Sequence, residues 1–396
     1  MKTRFLFLYL IICNCYLLSS QIPSYVPSGG LQCWWPFSGN ANDQTAKAYI
    51  SNVSGATLTA DRFNNANSAY NFDGVNDFIS TNYVGILGTS PRAVSVWALT
   101  TQSLNPMYIF GWGGNSNGSR FGLFLNDGSF SGASVGGGDC YMLHKTNPHI
   151  ANGSWQHYVV QFNANIINQV QIWQNGALLT QTLSAYQPNL TLNTINTFSV
   201  HFGKINYSPE PAHFNGGIDD IGIWNRTLTS CEIKELYTGV KTNIFLNASS
   251  DTICRGQLVA ITANGVDTYT WNTSSNSTSI TVSPIATAIY SVNGTSTLTG
   301  CTVTKTIAIV VVDCTGLTEA DANNSSVNIF PNPNNGSFCI SAKNDTDLKI
   351  VNALGQIICE KKIMAKTKSD VSDLPYGIYF VTDLNSHWRQ KIIVTK

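Results

Sequence analysis

From Gly30 to about Val240, apolar and polar residues alternate in short runs separated by turn signals. A period of two marks strands with one face in a core and the other toward solvent. "QNG" at Gln174 to Gly176 lies between "QVQIW" and "ALLTQTL", and "NDG" at Asn126 lies between "RFGLFL" and "SFSGAS". Asn-Gly and Asp-Gly supply the positive φ angles that tight hairpins need. Many short strands with such turns predict a β-sandwich. One helix closes the segment, in "LTSCEIKELYTG". There Thr229 and Glu232 have capping-box spacing, Ile233, Leu236 and Tyr237 make an apolar face, and Gly239 is a natural stop.

Residues 244–314 repeat the all-β pattern in "LVAITANG", "TYTWN" and "TKTIAIVVV". That length suits a small immunoglobulin-like sandwich. Residues 315–326, "TGLTEADANNSS", form a polar linker. Residues 327–396 are richer in lysine and hold further short strands such as "GIYFVT" and "QKIIVTK". Ahead of all this stands "MKTRFLFLYLIICNCYLLSSQ". Lys2 and Arg4, the apolar run Phe5 to Leu18, and the small pair Ser19-Ser20 predict a cleaved signal peptide over 1–20. The run falls short of the ~20 residues a membrane span needs, so no transmembrane segment is expected.

Composition narrows the function classes. Charged residues make up 11% of the chain, against roughly a quarter in average soluble proteins. The formal net charge is zero, so no global field draws the protein to nucleic acid or anionic lipid. Of 10 cysteines, Cys13 and Cys15 lie in the leader, and the eight that remain permit a disulfide framework in an exported chain. Beyond the leader no Cys-x-x-Cys occurs, which argues against a thiolate zinc site.

An ordered set of motifs points to a family. "GLQCWWPFSGNAND" from Gly30, "YNFDGVNDFIS", "AVSVWAL", "GSWQHYVVQFN", "VQIWQNGALL" and "FNGGIDDIGIWNRTLTSCEIKELYTG" follow one another through residues 21–243. Together they resemble the concanavalin A-like jelly rolls of the laminin G type, with Cys33 and Trp34 as a departure in the opening strand. In the last segment "NIFPNPNNGSF", "LKIVNALGQIICEKKI", "DLPYGIYFV" and "QKIIVTK" resemble the C-terminal sorting tails of the type IX secretion system. The two resemblances imply an all-β protein: a concanavalin A-like jelly-roll sandwich, a small Ig-like β-sandwich and a C-terminal β-sandwich sorting domain. They imply a protein secreted or held on the outer cell surface, with the type IX secretion machinery as a partner. The middle segment loosely resembles extracellular Ig-like repeats, whose usual pairing implies a Cys254–Cys301 disulfide.

The chemistry-bearing residues argue for binding over catalysis. Asp219 and Asp220 are neighbours in a strand-like run, where adjacent side chains point to opposite faces. A glycosidase needs two carboxyls flanking one bond, about 5–9.5 Å apart, so these two are not expected to form a dyad. Glu210, Glu232 and Glu235 are the jelly-roll segment's glutamates, and its Asp73, Asp77, Asp127 and Asp139 sit in turns. "GNSNG", Gly114 to Gly118, satisfies Gly-x-Ser-x-Gly, but a strand-like run follows where a nucleophile elbow needs a helix. His157 alternates with core residues and reads as a strand residue.

Jelly rolls of this kind often hold a structural calcium ion, which makes Asp43 and Asp219 its candidate ligands; the alternative is that each caps turn amides. Trp112, in "FGWGGNSNGSR", lies beside a Gly/Asn loop, and with Tyr108 and Arg120 it forms a candidate sugar site, rings for stacking and polar groups for hydroxyls. Trp112 as a core residue is the alternative. The sequence therefore predicts a non-enzymatic exported binding or adhesion protein whose jelly roll recognises carbohydrate or a cell-surface protein. A polysaccharide-degrading enzyme and a purely structural adhesin are the competing readings.

Overall fold

The computed structural model describes residues 22–102, 107–126, 132–135, 141–146, 151–163, 165–205, 212–313, 327–383 and 389–395. The signal peptide, the 315–326 linker, the Asn126 turn with Asp127, and Asp139, Cys140, Glu210 and Cys314 lie wholly or partly outside these residues. The chain divides into two compact units. The first runs to Ala248 and includes Ala260–Ile280 and Ile289–Ile307; the second comprises Ser249–Val259, Thr281–Ala288 and Ala308–Lys396.

The first unit holds the strands β1 (Leu31–Trp35), β2 (Ser51–Ser54), β3 (Thr57–Thr59), β4 (Ala69–Asp73), β5 (Phe78–Thr81), β6 (Arg92–Leu99), β7 (Met107–Gly113) and β8 (Arg120–Asn126). They are followed by β9 (Gly132–Val135), β10 (Tyr141–Lys145), β11 (Gln156–Phe162), β12 (Gln171–Gln174), β13 (Ala177–Leu178), β14 (Thr182–Tyr186), β15 (Phe198–Phe202) and β16 (Asn215–Trp224). One sheet has the order β13-β12-β11-β6-β16-β4-β3, with β1 also on β16; the other runs β14-β10-β9-β8-β7-β15-β5-β2. Trp35, Val94, Val96 and Ile223 from the first sheet meet Phe110, Phe121 and Phe202 from the second in one buried core. This is the sandwich that the alternation predicts.

Helix α1 (Ser230–Thr238) covers the outer face of the first sheet, where Ile233 and Leu236 pack with Trp34, Ala93, Val159 and Trp224. Its ends form as the sequence predicts. Thr229 and Glu232 make a reciprocal capping box, and Gly239 ends the helix at φ 69°, a left-handed geometry that glycine adopts without a Cβ clash. The β12–β13 hairpin turns on Asn175 and Gly176, at φ 50° and 77°.

Beyond the helix, Phe245–Ala248 pairs antiparallel with Ile261–Asn264, and Thr268–Trp271 with Val292–Thr295. In the second unit, Thr252–Cys254 runs parallel to Val310–Val312. The tail builds a three-stranded and a four-stranded sheet around Ile340, Leu348, Ile350, Val381 and Ile392. No helix among the described residues is long and apolar enough to cross a membrane.

Candidate functional site

The two adjacent aspartates do not diverge. Strand β16 forms, but its pairing with β6 slips between Asp219 and Gly222, and Asp220 takes φ 46°. A left-handed residue at a bulge re-aims its side chain. Both carboxylates therefore meet Arg62, whose Nη1 lies 3.3 Å from Asp219 Oδ2 and 2.7 Å from Asp220 Oδ2. Arg62 comes from the loop between β3 and β4, and its guanidinium stands 4.5 Å from the ring centres of both Trp97 and Phe63. The expectation of opposed faces, derived from ideal pleating, is corrected by the bulge.

The electrostatics follow from burial. Desolvation and the neighbouring Asp220 charge push Asp219 upward against the opposing pull of Arg62. Asp220 is raised mainly by burial, again opposed by Arg62. Burial and the Asp220 charge hold the Tyr25 hydroxyl near 12. His157 packs against Trp97, pairs through Nε2 with Ser95 Oγ at 2.8 Å, and has no partner for Nδ1. Burial, then repulsion from Arg62, pushes it down to about 3. Only 3% of the Asp219 side chain and 13% of Asp220 are exposed. Two acids converge here, but on a fixed cation rather than on an open groove, which is the chemistry of an internal brace.

The three residues of the candidate sugar site separate into a core ring and a pair on the opposite face of the second sheet. Trp112 is 1% exposed, lies in the core between the sheets, and donates Nε1–H to the Ile86 carbonyl at 3.1 Å. It packs so close to Gly85 that a Cβ there would sit 2.3 Å from the indole. Its place in the site is therefore corrected: Trp112 is a core residue, and no sugar reaches its face. Tyr108 and Arg120 do come together, on the face of the second sheet turned away from the core between the sheets. Arg120 is buried and donates Nε–H to the Gly114 carbonyl at 3.2 Å, Nη2–H to Asn115 Oδ1 at 2.8 Å and Nη1–H to the Tyr108 hydroxyl at 3.5 Å. The half-buried Tyr108 ring lies 5.1 Å from Phe124. In the same sheet, Lys204, just past β15, sets its Nζ 3.1 Å from the centre of the Phe78 ring on β5, with His201 of β15 beside that ring.

Asp43 caps its loop. It accepts from Trp34 N and Thr45 N at 3.0 Å each, from Thr45 Oγ1 at 2.8 Å and from Tyr49 N at 3.1 Å. Four hydrogens point at this carboxylate and a guanidinium points at Asp219, so a calcium ion shared by the two does not fit these surroundings. Among the described residues, no three His, Cys, Asp or Glu side chains gather as metal ligands.

Cys301 bonds Cys231 at the start of helix α1, with Cα atoms 5.6 Å apart. This corrects the Cys254–Cys301 pairing, because a sulfur forms one disulfide and Cys254 is itself bonded elsewhere. Cys33, Cys339 and Cys359 are free. Glu232 serves the helix cap and pairs with Arg226, while Glu235 accepts from Lys241 Nζ and Thr242 N. Asp73 and Asp77 hold the β4–β5 turn through backbone amides. "GNSNG" is a turn joining β7 to strand β8.

Two segments match known families. Residues 73–234 match the concanavalin A-like lectin/glucanases superfamily, and residues 328–395 match the secretion system C-terminal sorting domain. The sorting domain, of the type IX system, directs the chain to secretion or the cell surface. No curated protein matches the chain. Among solved structures, domain 4 of AbnA, a GH43 extracellular arabinanase from Geobacillus stearothermophilus in complex with arabinotriose, is 17% identical, covering 52% of this chain and 98% of its own at TM-score 0.39. A botulinum neurotoxin serotype D/C binding domain is 12% identical over 92% of this chain and 93% of its own, at TM-score 0.40. A sialidase mutant of Trypanosoma rangeli is 14% identical at TM-score 0.36, over 54% of this chain and 33% of that one. Likeness at this level carries no argument about ligand or reaction.

Proposed function

We propose that this exported chain is a non-catalytic carbohydrate-binding protein whose jelly roll holds its ligand at the half-buried Tyr108 ring, on the face of the second sheet turned away from the core. The observation that carries the reading is the Tyr108 ring beside Phe124, with the Arg120 guanidinium fixed at its hydroxyl. A ring gives a saccharide an apolar face to stack on, and the buried Arg120, itself bonded to Gly114 and Asn115, holds that ring's hydroxyl in place at little entropic cost. Support for a non-catalytic role comes from Asp219 and Asp220, whose shared contact with Arg62 keeps both acids away from any ligand. The test is retention on immobilised polysaccharides. Tyr108→Ala should lose retention while keeping its melting temperature; equal retention by the variant and the parent would exclude this site.

A further inference from the structure

A separate groove of about 330 Å³ opens beside the first sheet, lined by Gln161, Asn163, Gln169, Gln171 and Thr227. Its size falls within the range of small-ligand sites, about 300–1,000 Å³. Gln161 on β11 and Gln171 on β12 are direct cross-strand neighbours. Gln161 is 5% exposed; its Oε1 accepts the Leu228 amide at 2.8 Å and its Nε2 donates to Gln171 Oε1 at 2.8 Å. These bonds fix two primary amides side by side before any ligand arrives. An amide side chain carries two donor hydrogens and two acceptor lone pairs, so one N–H and one lone pair of Gln161, and the whole NH₂ of Gln171, remain for a ligand. Asn163, Gln169 and the Thr227 hydroxyl add further groups of the same neutral kind. Among the described residues, no charged or aromatic side chain lines the groove.

We propose that this groove is a second ligand site, independent of the Tyr108 face, and that it takes a neutral polyhydroxylated molecule: a saccharide without carboxylate or sulfate groups. Vicinal hydroxyls each donate and accept, which is the pattern that paired amides present. An anionic sugar would bring a charge to a site whose described lining offers no counter-ion, and pay its desolvation uncompensated. Without a stacking ring, affinity rests on hydrogen bonds, each worth about 0.5–1.5 kcal/mol net.

The test uses the full chain titrated calorimetrically with cellohexaose, xylohexaose and mannohexaose, and with oligogalacturonate as the anionic control. The variant is Gln169→Ala with Gln171→Ala, both exposed positions; Gln161 is left intact because it holds the Leu228 amide. At least one neutral hexasaccharide should bind, roughly five- to tenfold more weakly in the double variant at an unchanged melting temperature. This binding should survive Tyr108→Ala. The proposal is overturned if no neutral hexasaccharide binds, if the double variant binds as the parent does, or if Tyr108→Ala abolishes all binding. It is overturned equally if oligogalacturonate binds as tightly with the same sensitivity to the double variant.

Discussion

Replacing Arg62 by leucine removes the guanidinium that binds Asp219 and Asp220 and stands over the Trp97 ring. Breaking a buried ion pair by deleting one partner costs about 3–5 kcal/mol. A second route gives the same size: keeping one carboxyl protonated at pH 7, about 3 units above its unperturbed pKa, costs ~4 kcal/mol. For a domain of this size that is a melting shift of about 6–20 °C. The pH dependence has a definite sign. Asp219 and Asp220 are both raised on folding, so the folded state keeps protons that the unfolded chain has already lost. Their contribution is fully present below about pH 4 and declines as pH rises toward neutrality. Without Arg62 both acids rise further, so the variant should weaken more steeply than the parent and approach it near pH 4. Tyr25 and His157 also feel this guanidinium, so parent and variant are compared at each pH. Urea unfolding followed by tryptophan fluorescence reports the jelly roll, which holds Trp34, Trp35, Trp97, Trp112, Trp155, Trp173 and Trp224, seven of the nine tryptophans. Adding Asp219→Asn and Asp220→Asn to Arg62→Leu should restore most of the loss. A loss under about 1 kcal/mol at pH 7, or an equal loss at pH 4 and pH 7, would refute the reasoning.

Other outcomes follow from the same contacts. His157, held down to about 3 when folded and near 6.5 when unfolded, withdraws stability as pH falls from about 6.5 toward 3; His157→Gln should flatten that limb, and an unchanged acid profile would count against it. Cys231→Ser with Cys301→Ser opens a loop of separation 70 and should cost about 4 kcal/mol by chain entropy; peptide mapping that links Cys254 to Cys301 would contradict the pairing. Trp112→Ala should cost about 3–5 kcal/mol as a core truncation, so ligand loss without a fall in melting temperature would return this ring to the binding face. EDTA should leave the jelly roll's melting temperature unchanged, since Asp43 and Asp219 already face protein donors; stabilisation by added calcium would disagree.

Local rules served well where neighbours in sequence decide the structure. The capping box at Thr229 and Glu232, the Gly239 stop and the Asn175-Gly176 turn each involve residues a few positions apart, and all three formed. The failures came from distant partners. Asp220 leaves ideal strand geometry where its carboxylate meets an arginine 158 residues earlier in the chain. Trp112 borders a Gly/Asn loop yet turns inward, because Gly85 leaves space for the indole and Ile86 offers it a carbonyl. Cys231 and Cys301 are joined between the closing helix and the segment after it, which a reading of each segment alone does not connect. The Gln161–Gln171 groove was silent in the sequence for a related reason: two glutamines 10 apart become a pair only through the β11–β12 register.

The most direct test incubates the exported chain with a panel of polysaccharides and follows retention and reducing-end release in the same samples. Retention that Tyr108→Ala removes, with no release of reducing ends, is the predicted result. Release that disappears in Asp219→Asn, with that variant still folded, would show that the aspartates reach a glycosidic bond after all.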